Sequence, residues 1–155
     1  MKLIYVHHAE RDVRFGVNQE NDITENGVKQ ALLVAENLKN VRITAIYSSQ
    51  YKRCKHTAEI INQYHNLPIY EDERFNEAQP GESWNSVQQR NMDAIDVIVN
   101  KSNNDDIVLC VTSGVNVSAF IFYILGIKAS EHNPWIQAGL CSPLYFTIEK
   151  RVKKK

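Results

Sequence analysis

Two histidines, His7 and His8, leave an apolar run side by side in the stretch IYVHHAERD. An imidazole at a strand end acts as a nucleophile, as a metal ligand, or as a core residue whose ring its neighbours satisfy. Two further strand-like runs also end in polar groups. Ser48-Ser49 follows Ile43–Tyr47, and Thr112-Ser113-Gly114 follows Ile107–Val111. Ligands of open α/β sheets sit outside the carboxyl ends of the strands, and a helix that opens there offers unpaired N–H groups to an anion. Each serine alone reads as a helix cap. Three such strand ends together point to an anion site.

Other chemistries find less support. The five histidines, His7, His8, His56, His65 and His132, show no HxH or HExxH spacing, so no metal or other cofactor is expected. Cys54, Cys110 and Cys141 have Ile60, Asn116 and Thr147 six positions on, where a cysteine phosphatase needs arginine. No GxxxxGK[ST] or GxGxxG occurs. With an odd number and no CxxC pair, the cysteines read as reduced thiols of a cytoplasmic protein. Trp84 and Trp135 read as packing residues, with Trp84 close enough to the Pro80-Gly81 break to line a pocket mouth.

The chain has 155 residues, 43% hydrophobic and 23% charged, with a formal net charge of zero. That is the profile of one soluble globular domain, and the charge balance argues against a nucleic-acid partner. The basic tail Lys150, Arg151 and Lys153–Lys155 reads as a solvated end. No secretory signal is visible after Met1. The run Ile107–Gly126 has no charge over 20 residues, the length of a membrane span. Thr112-Ser113-Gly114 interrupts it, so strand, turn and buried helix is the better reading, and no membrane partner is expected.

The elements that must position these residues follow from periodicity. Strands are expected at Lys2–Val6, Ile43–Tyr47, Ile107–Val111 and Leu144–Ile148, with a weaker one at Ile69–Tyr70. Thr24 can cap a helix to Asn40 with the stripe Val28, Ala31, Leu32, Ala35 and Leu38. Ser48 and Ser49 can cap a second, with Cys54, Ala58, Ile61 and Tyr64. Ser83 can cap a third, with Val87, Met92, Ile95 and Val99. Continuous apolar strands alternating with helices make a sheet covered on both faces, an α/β domain.

The order of these pieces resembles the histidine phosphatase superfamily, the phosphoglycerate mutase-like clan. YVHHAE is similar to its strand and Arg-His-Gly/Ala-Glu opening, with His8 in the nucleophile's place. Asp22, ITENG at Ile23–Gly27 and Gln30-Ala31 resemble the next element. IYSSQYKRCKHTAEII resembles the Tyr-Ser-Ser…Arg…Thr-Ala run, which makes Arg53 a phosphate-binding arginine. RFNEAQPGE resembles the segment that carries the acidic proton donor, Glu77 here, and VLCVTSGVNVSAFIFYILG the strand-Ser-His-Gly-helix element. The resemblance runs from Lys2 to about Gly126. It implies a single domain over residues 1–155, a three-layer sandwich with a mostly parallel central sheet flanked by helices.

The resemblance also implies a phosphohydrolase acting on a small phosphomonoester through a phosphohistidine at His8, with Glu77 protonating the leaving oxygen. Two positions depart from the pattern. His7 stands where the family has its first arginine, and Ser113 where it has a second histidine. Histidine lacks the permanent charge and bidentate fork of arginine, although a bound dianion would favour its protonated form. Arg53, His7 and Ser113 are the expected substrate contacts. Arg14, six positions after His8, joins them because the family often has a phosphate-contacting polar residue there. Arg11 lies in the same loop. The loss of pocket charge supports an alternative, a catalytically impaired relative that binds phosphate or another anion as a regulatory protein, and argues against a mutase. Substrate choice falls to the loops Asp72–Ser86 and Ser130–Leu140.

Overall fold

The computed structural model describes residues 1–149 apart from 15, 17, 131, 133–135 and 137. The basic tail and Trp135 therefore lie outside the described residues. In chain order the elements are β1 (Lys2–His7), α1 (Glu25–Leu38), β2 (Ala45–Ser48), α2 (Lys52–Asn62), β3 (Ile69–Glu71), α3 (Trp84–Lys101), β4 (Ile107–Thr112), α4 (Gly114–Ile124) and β5 (Pro143–Thr147), with a 3₁₀ turn at Glu73–Phe75. The sheet order is β3-β2-β4-β1-β5. The first four strands run parallel and β5 is an antiparallel edge on β1. This is the mostly parallel α/β sandwich expected from the sequence.

Side chains alternate across the sheet, so it feeds two cores. Ile4, Val6, Ile46, Leu109 and Val111 pack with α1 and α2 on one face. Leu3, Tyr5, Val108 and Cys110 pack with α3 and α4 on the other. The uncharged run splits at Ser113, as its turn signal required. Its helical half, α4, buries Val115, Val117, Ala119, Phe120 and Phe122, because a helix apolar most of the way round is stable only inside. Among the described residues no helix is long and apolar enough to cross a membrane.

Caps account for two of the helix starts. Thr24 Oγ1 accepts from the Gly27 N–H at 2.9 Å, and Ser83 Oγ from the Ser86 N–H at 3.2 Å. The expected start of α2 was wrong. Its N-cap is Tyr51, while the Ser49 hydroxyl accepts from Tyr51 N at 3.2 Å and donates to Asn76 at 2.7 Å. Two stripe assignments were also wrong. Leu32 is 44% exposed, with Val34 taking the buried place on α1, and Tyr64 lies beyond the end of α2 on the surface.

Candidate active site

β1 ends at His7, and the His8 N–H continues the ladder once, donating to Thr112 O at 2.9 Å. Beyond that bond the strand's alternation lapses, and the two imidazoles meet edge to face with centroids 4.5 Å apart. The loop that follows is held from behind. Ala9 N donates to Thr57 Oγ1 at 3.1 Å, and Glu10 N to Gln30 Oε1 at 2.9 Å. The Glu10 carbonyl takes the Thr24 N–H at 2.8 Å. Gly27 fits against that carbonyl only because it has no side chain, since a Cβ there would lie 2.3 Å from Glu10 O. The Gln-Ala and Thr-Ala pieces of the sequence thus act by fixing the turn after His8.

The ring of His8 has one available proton arrangement. Nδ1 lies 2.7 Å from the Ala9 carbonyl, which only accepts, so Nδ1 carries the hydrogen. Nε2 is left with its lone pair, which accepts from Arg53 Nε at 3.1 Å. Burial, then repulsion by His7, pushes the His8 imidazole down to about 2, which keeps it neutral at any ordinary pH. Burial also lowers His7, whose Nδ1–H is given to Ala138 O at 3.2 Å. His7 is thus a neutral wall of the site. Its ring lies over Gly114, where a Cβ would come within 2.9 Å of Cε1.

Arg53, in the first turn of α2, is 1% exposed. Besides His8, it donates to Asn18 O at 3.0 Å and to Glu77 Oε2 at 2.6 Å, and it stacks on the Tyr51 ring. Arg11 reaches the same Glu77 oxygen at 3.1 Å. A cleft of about 250 Å³ opens onto His7, His8, Glu10, Arg11 and Glu77, with Gly114, Val115, Ala138 and Leu140 as its small apolar side. Among the expected residues, His8, Glu77, Arg53 and His7 come together here.

The other two lie elsewhere. Ser113 is buried behind the cleft wall, its Oγ accepting from Asn116 Nδ2 at 3.0 Å. Arg14 does not reach the cleft. Its guanidinium is 78% exposed and pairs with Asp12 at 2.6 Å, a partner two residues away. Arg11, in the same loop, lines the cleft instead.

The supports of Glu77 carried no sequence signal beyond being polar residues in apolar surroundings. Asn116 Nδ2 also donates to the carbonyls of Phe75 and Asn76, both at 2.8 Å. Thr112 Oγ1 donates to Phe75 O at 2.7 Å, and Asn76 Oδ1 accepts from Ser49 and from Gln50 N at 2.9 Å. Asn116 is in turn tied through its own carbonyl to Asn91, which accepts the Tyr5 hydroxyl at 2.6 Å. These buried bonds fix the backbone just before Glu77 to β4 and α4.

A buried neutral imidazole, two guanidinia and a carboxyl group thus lie together at the carboxyl ends of a parallel sheet in an α/β domain. The profile of the histidine phosphatase superfamily (branch 1) matches residues 6–81 and 76–153, and the chain belongs to that superfamily. It is similar to a Schizosaccharomyces pombe protein described as a probable phosphatase, 38% identical over 72 residues, which are 43% of this chain and 26% of that one. It is similar also to phosphoserine phosphatase 1 of Hydrogenobacter thermophilus, 36% identical over 91 residues, 56% of this chain and 43% of that one. The matched part thus spans less than half the length of either curated relative. The fold is that of Bacillus stearothermophilus YhfR, with a TM-score of 0.83, 24% identity and coverage of 96% of this chain and 91% of that one.

Proposed function

We propose that the chain hydrolyses a small phosphomonoester through a phosphohistidine at His8. The observation that carries this reading is the unprotonated Nε2 of a buried, neutral imidazole, oriented by the Ala9 carbonyl and hydrogen-bonded to the Arg53 guanidinium. In the first step Nε2 forms a bond to phosphorus as the ester P–O bond breaks, and the Glu77 carboxyl gives its proton to the departing oxygen. In the second, water attacks the phosphohistidine, Glu77 takes a proton from it, and inorganic phosphate leaves. Arg53 stabilises the transferring group in both steps, a contribution of roughly 10³-fold or more for a well-placed arginine. The Ser113 side chain makes no capping bond to α4, whose first residues Gly114 and Val115 line the cleft. Their N–H groups are suited to phosphate oxygens. The names of the two curated relatives agree with a phosphatase, and the cleft volume supports a small substrate.

The test is hydrolysis of an aryl phosphate between pH 5 and 8 by the native protein and by His8→Ala. Turnover lost in His8→Ala supports the reading. Glu77→Gln should slow alkyl esters by roughly 10²–10⁴-fold, and aryl esters less, because a good leaving group needs no proton. The alternative, an anion-binding protein without turnover, is favoured by one observation: the position of the family's first arginine holds a neutral histidine. It prevails if no variant or native protein hydrolyses the ester while phosphate raises the melting temperature.

A further inference from the structure

We propose that Arg90 is a positioning residue: paired with Glu82, its guanidinium clamps both flanks of the segment that carries Glu77 and so fixes where that carboxyl stands. The inference rests on Glu77 being the proton donor of the function proposed above. Arg90 belongs to α3 and presents its fork to the chain on either side of Glu77. Nε donates to Glu82 Oε1 at 2.7 Å and Nη2 to Glu82 Oε2 at 3.0 Å, a bidentate pair five residues after Glu77. Nη1 donates to the Arg74 carbonyl at 2.5 Å, three residues before it.

Glu82 passes the hold on toward Glu77. Its Oε2 accepts from Gln79 N at 3.0 Å, and its own backbone N–H donates to Gln79 O at 2.9 Å. Pro80 and Gly81 are the central residues of that turn, with Gly81 at φ +80°, the conformation a type II turn requires there. Gln79 Nε2 then donates to the Glu77 carbonyl at 3.0 Å. On the other flank Arg90 acts beside Asn116 and Thr112, which hold the Phe75 and Asn76 carbonyls.

The pair is largely withdrawn from water, with Arg90 20% and Glu82 14% exposed. The bonds from Arg90 hold the Glu82 carboxyl below its ordinary value, so the clamp is ionised at neutral pH. Charge alone would not make it. Two carboxylate oxygens and a carbonyl are met at once by a planar fork, which the point charge of lysine does not reproduce. Arg90 does not line the cleft of His8, so its effect on the chemistry runs through Glu77. Arg90 and Glu82 do line a neighbouring cavity of about 510 Å³ that shares Glu77 with the cleft, which makes KM a necessary part of the test.

The test is kcat and KM for glycerol phosphate and 4-nitrophenyl phosphate in the native protein, Arg90→Lys, Glu82→Gln, and Arg90→Lys combined with Glu77→Gln. Arg90→Lys keeps a cation beside Glu82 but loses the fork. It should lower kcat for the alkyl ester roughly 10²-fold, the cost of a misplacement of about 1 Å, and for the aryl ester less. Glu82→Gln, with one acceptor oxygen in place of two, should give the same pattern. Where Glu77→Gln has already removed the acid, Arg90→Lys should cost nothing further. A structural role without positioning would lower both esters by one factor in both backgrounds, and that result overturns the proposal. A raised KM with kcat kept would make Arg90 a substrate contact and overturn it equally. Amide hydrogen exchange supplies a readout free of turnover: Gln79 and Glu82 should exchange faster in Arg90→Lys while the amides of β4 hold. Unchanged exchange at both means that there is no clamp. If the native protein hydrolyses neither ester, the function proposed above fails, and exchange alone decides whether Arg90 holds the Glu77 segment.

Discussion

His8 and His7 are held neutral by burial, and this carries a cost in acid. An unfolded imidazole takes up its proton near pH 6.5, whereas both folded imidazoles are depressed, His8 to about 2. The unfolded chain therefore binds more protons below 6.5, so stability is intact above that pH and is lost as pH falls toward the folded values, by up to about 1.4 kcal/mol per group and unit. Thermal melts from pH 7 to 5 should show a falling melting temperature, with a shallower slope in His8→Ala. An unchanged slope would mean that His8 takes up its proton alike in the folded and the unfolded chain. That His8, Glu77 and Arg53 gather at one strand end was legible because the order of motifs resembles that of the family. The choice between Arg11 and Arg14 was not. Asp12, next to Arg11 and two residues before Arg14, captures Arg14 by a local pairing that sequence order does not weigh. Asn116 was illegible for a different reason: its role is to satisfy carbonyls some 40 residues away, a long-range contact.

At the scale of elements, the contact between α1 and the loop after His8 is the tightest joint in the site. Gly27 occupies the third position of α1, and a helical Gly→Ala change ordinarily gains up to about 1 kcal/mol in propensity. Here the added Cβ would meet the Glu10 carbonyl at 2.3 Å and Ile23 Cβ at 3.0 Å. Overpacking of that kind costs typically about 1–3 kcal/mol. Gly27→Ala should therefore lower the denaturant midpoint and reduce the proposed turnover, since Glu10 lies two residues from His8. A stabilised, fully active Gly27→Ala would show that the loop yields easily. Strands were read from the sequence to within two residues because apolar runs and turn residues mark them. Helix faces were read less well. Leu32 and Val34 are both apolar residues on α1, and only the packing of α2 against α1 decides which is covered. The start of α2 shifted because Asn76 claims the Ser49 hydroxyl.

Across the whole molecule, β4 and β1 lie inside the sheet and are shared by both cores, while the cleft gathers at one end of them. The covered sheet was legible from the alternation of runs, and the sandwich from the family resemblance. Its antiparallel edge was not, since direction of pairing leaves no trace in a five-residue strand. The three free thiols are distributed over this plan: Cys110 in β4, Cys54 in the first turn of α2, and Cys141 in the loop before β5, its N–H donating to His7 O at 2.9 Å. Burial raises all three, Cys54 and Cys141 to about 12, so none is a ready thiolate. They are consequently latent clocks of opening. In native buffer a thiol-specific alkylating reagent should modify Cys141 first, at the rate at which the wall over His7 lifts, and Cys110 only when the sheet itself comes apart. Equal rates at the two cysteines would mean that the wall and the sheet open as one unit. Site-resolved mass spectrometry would read both intervals from one unmutated sample.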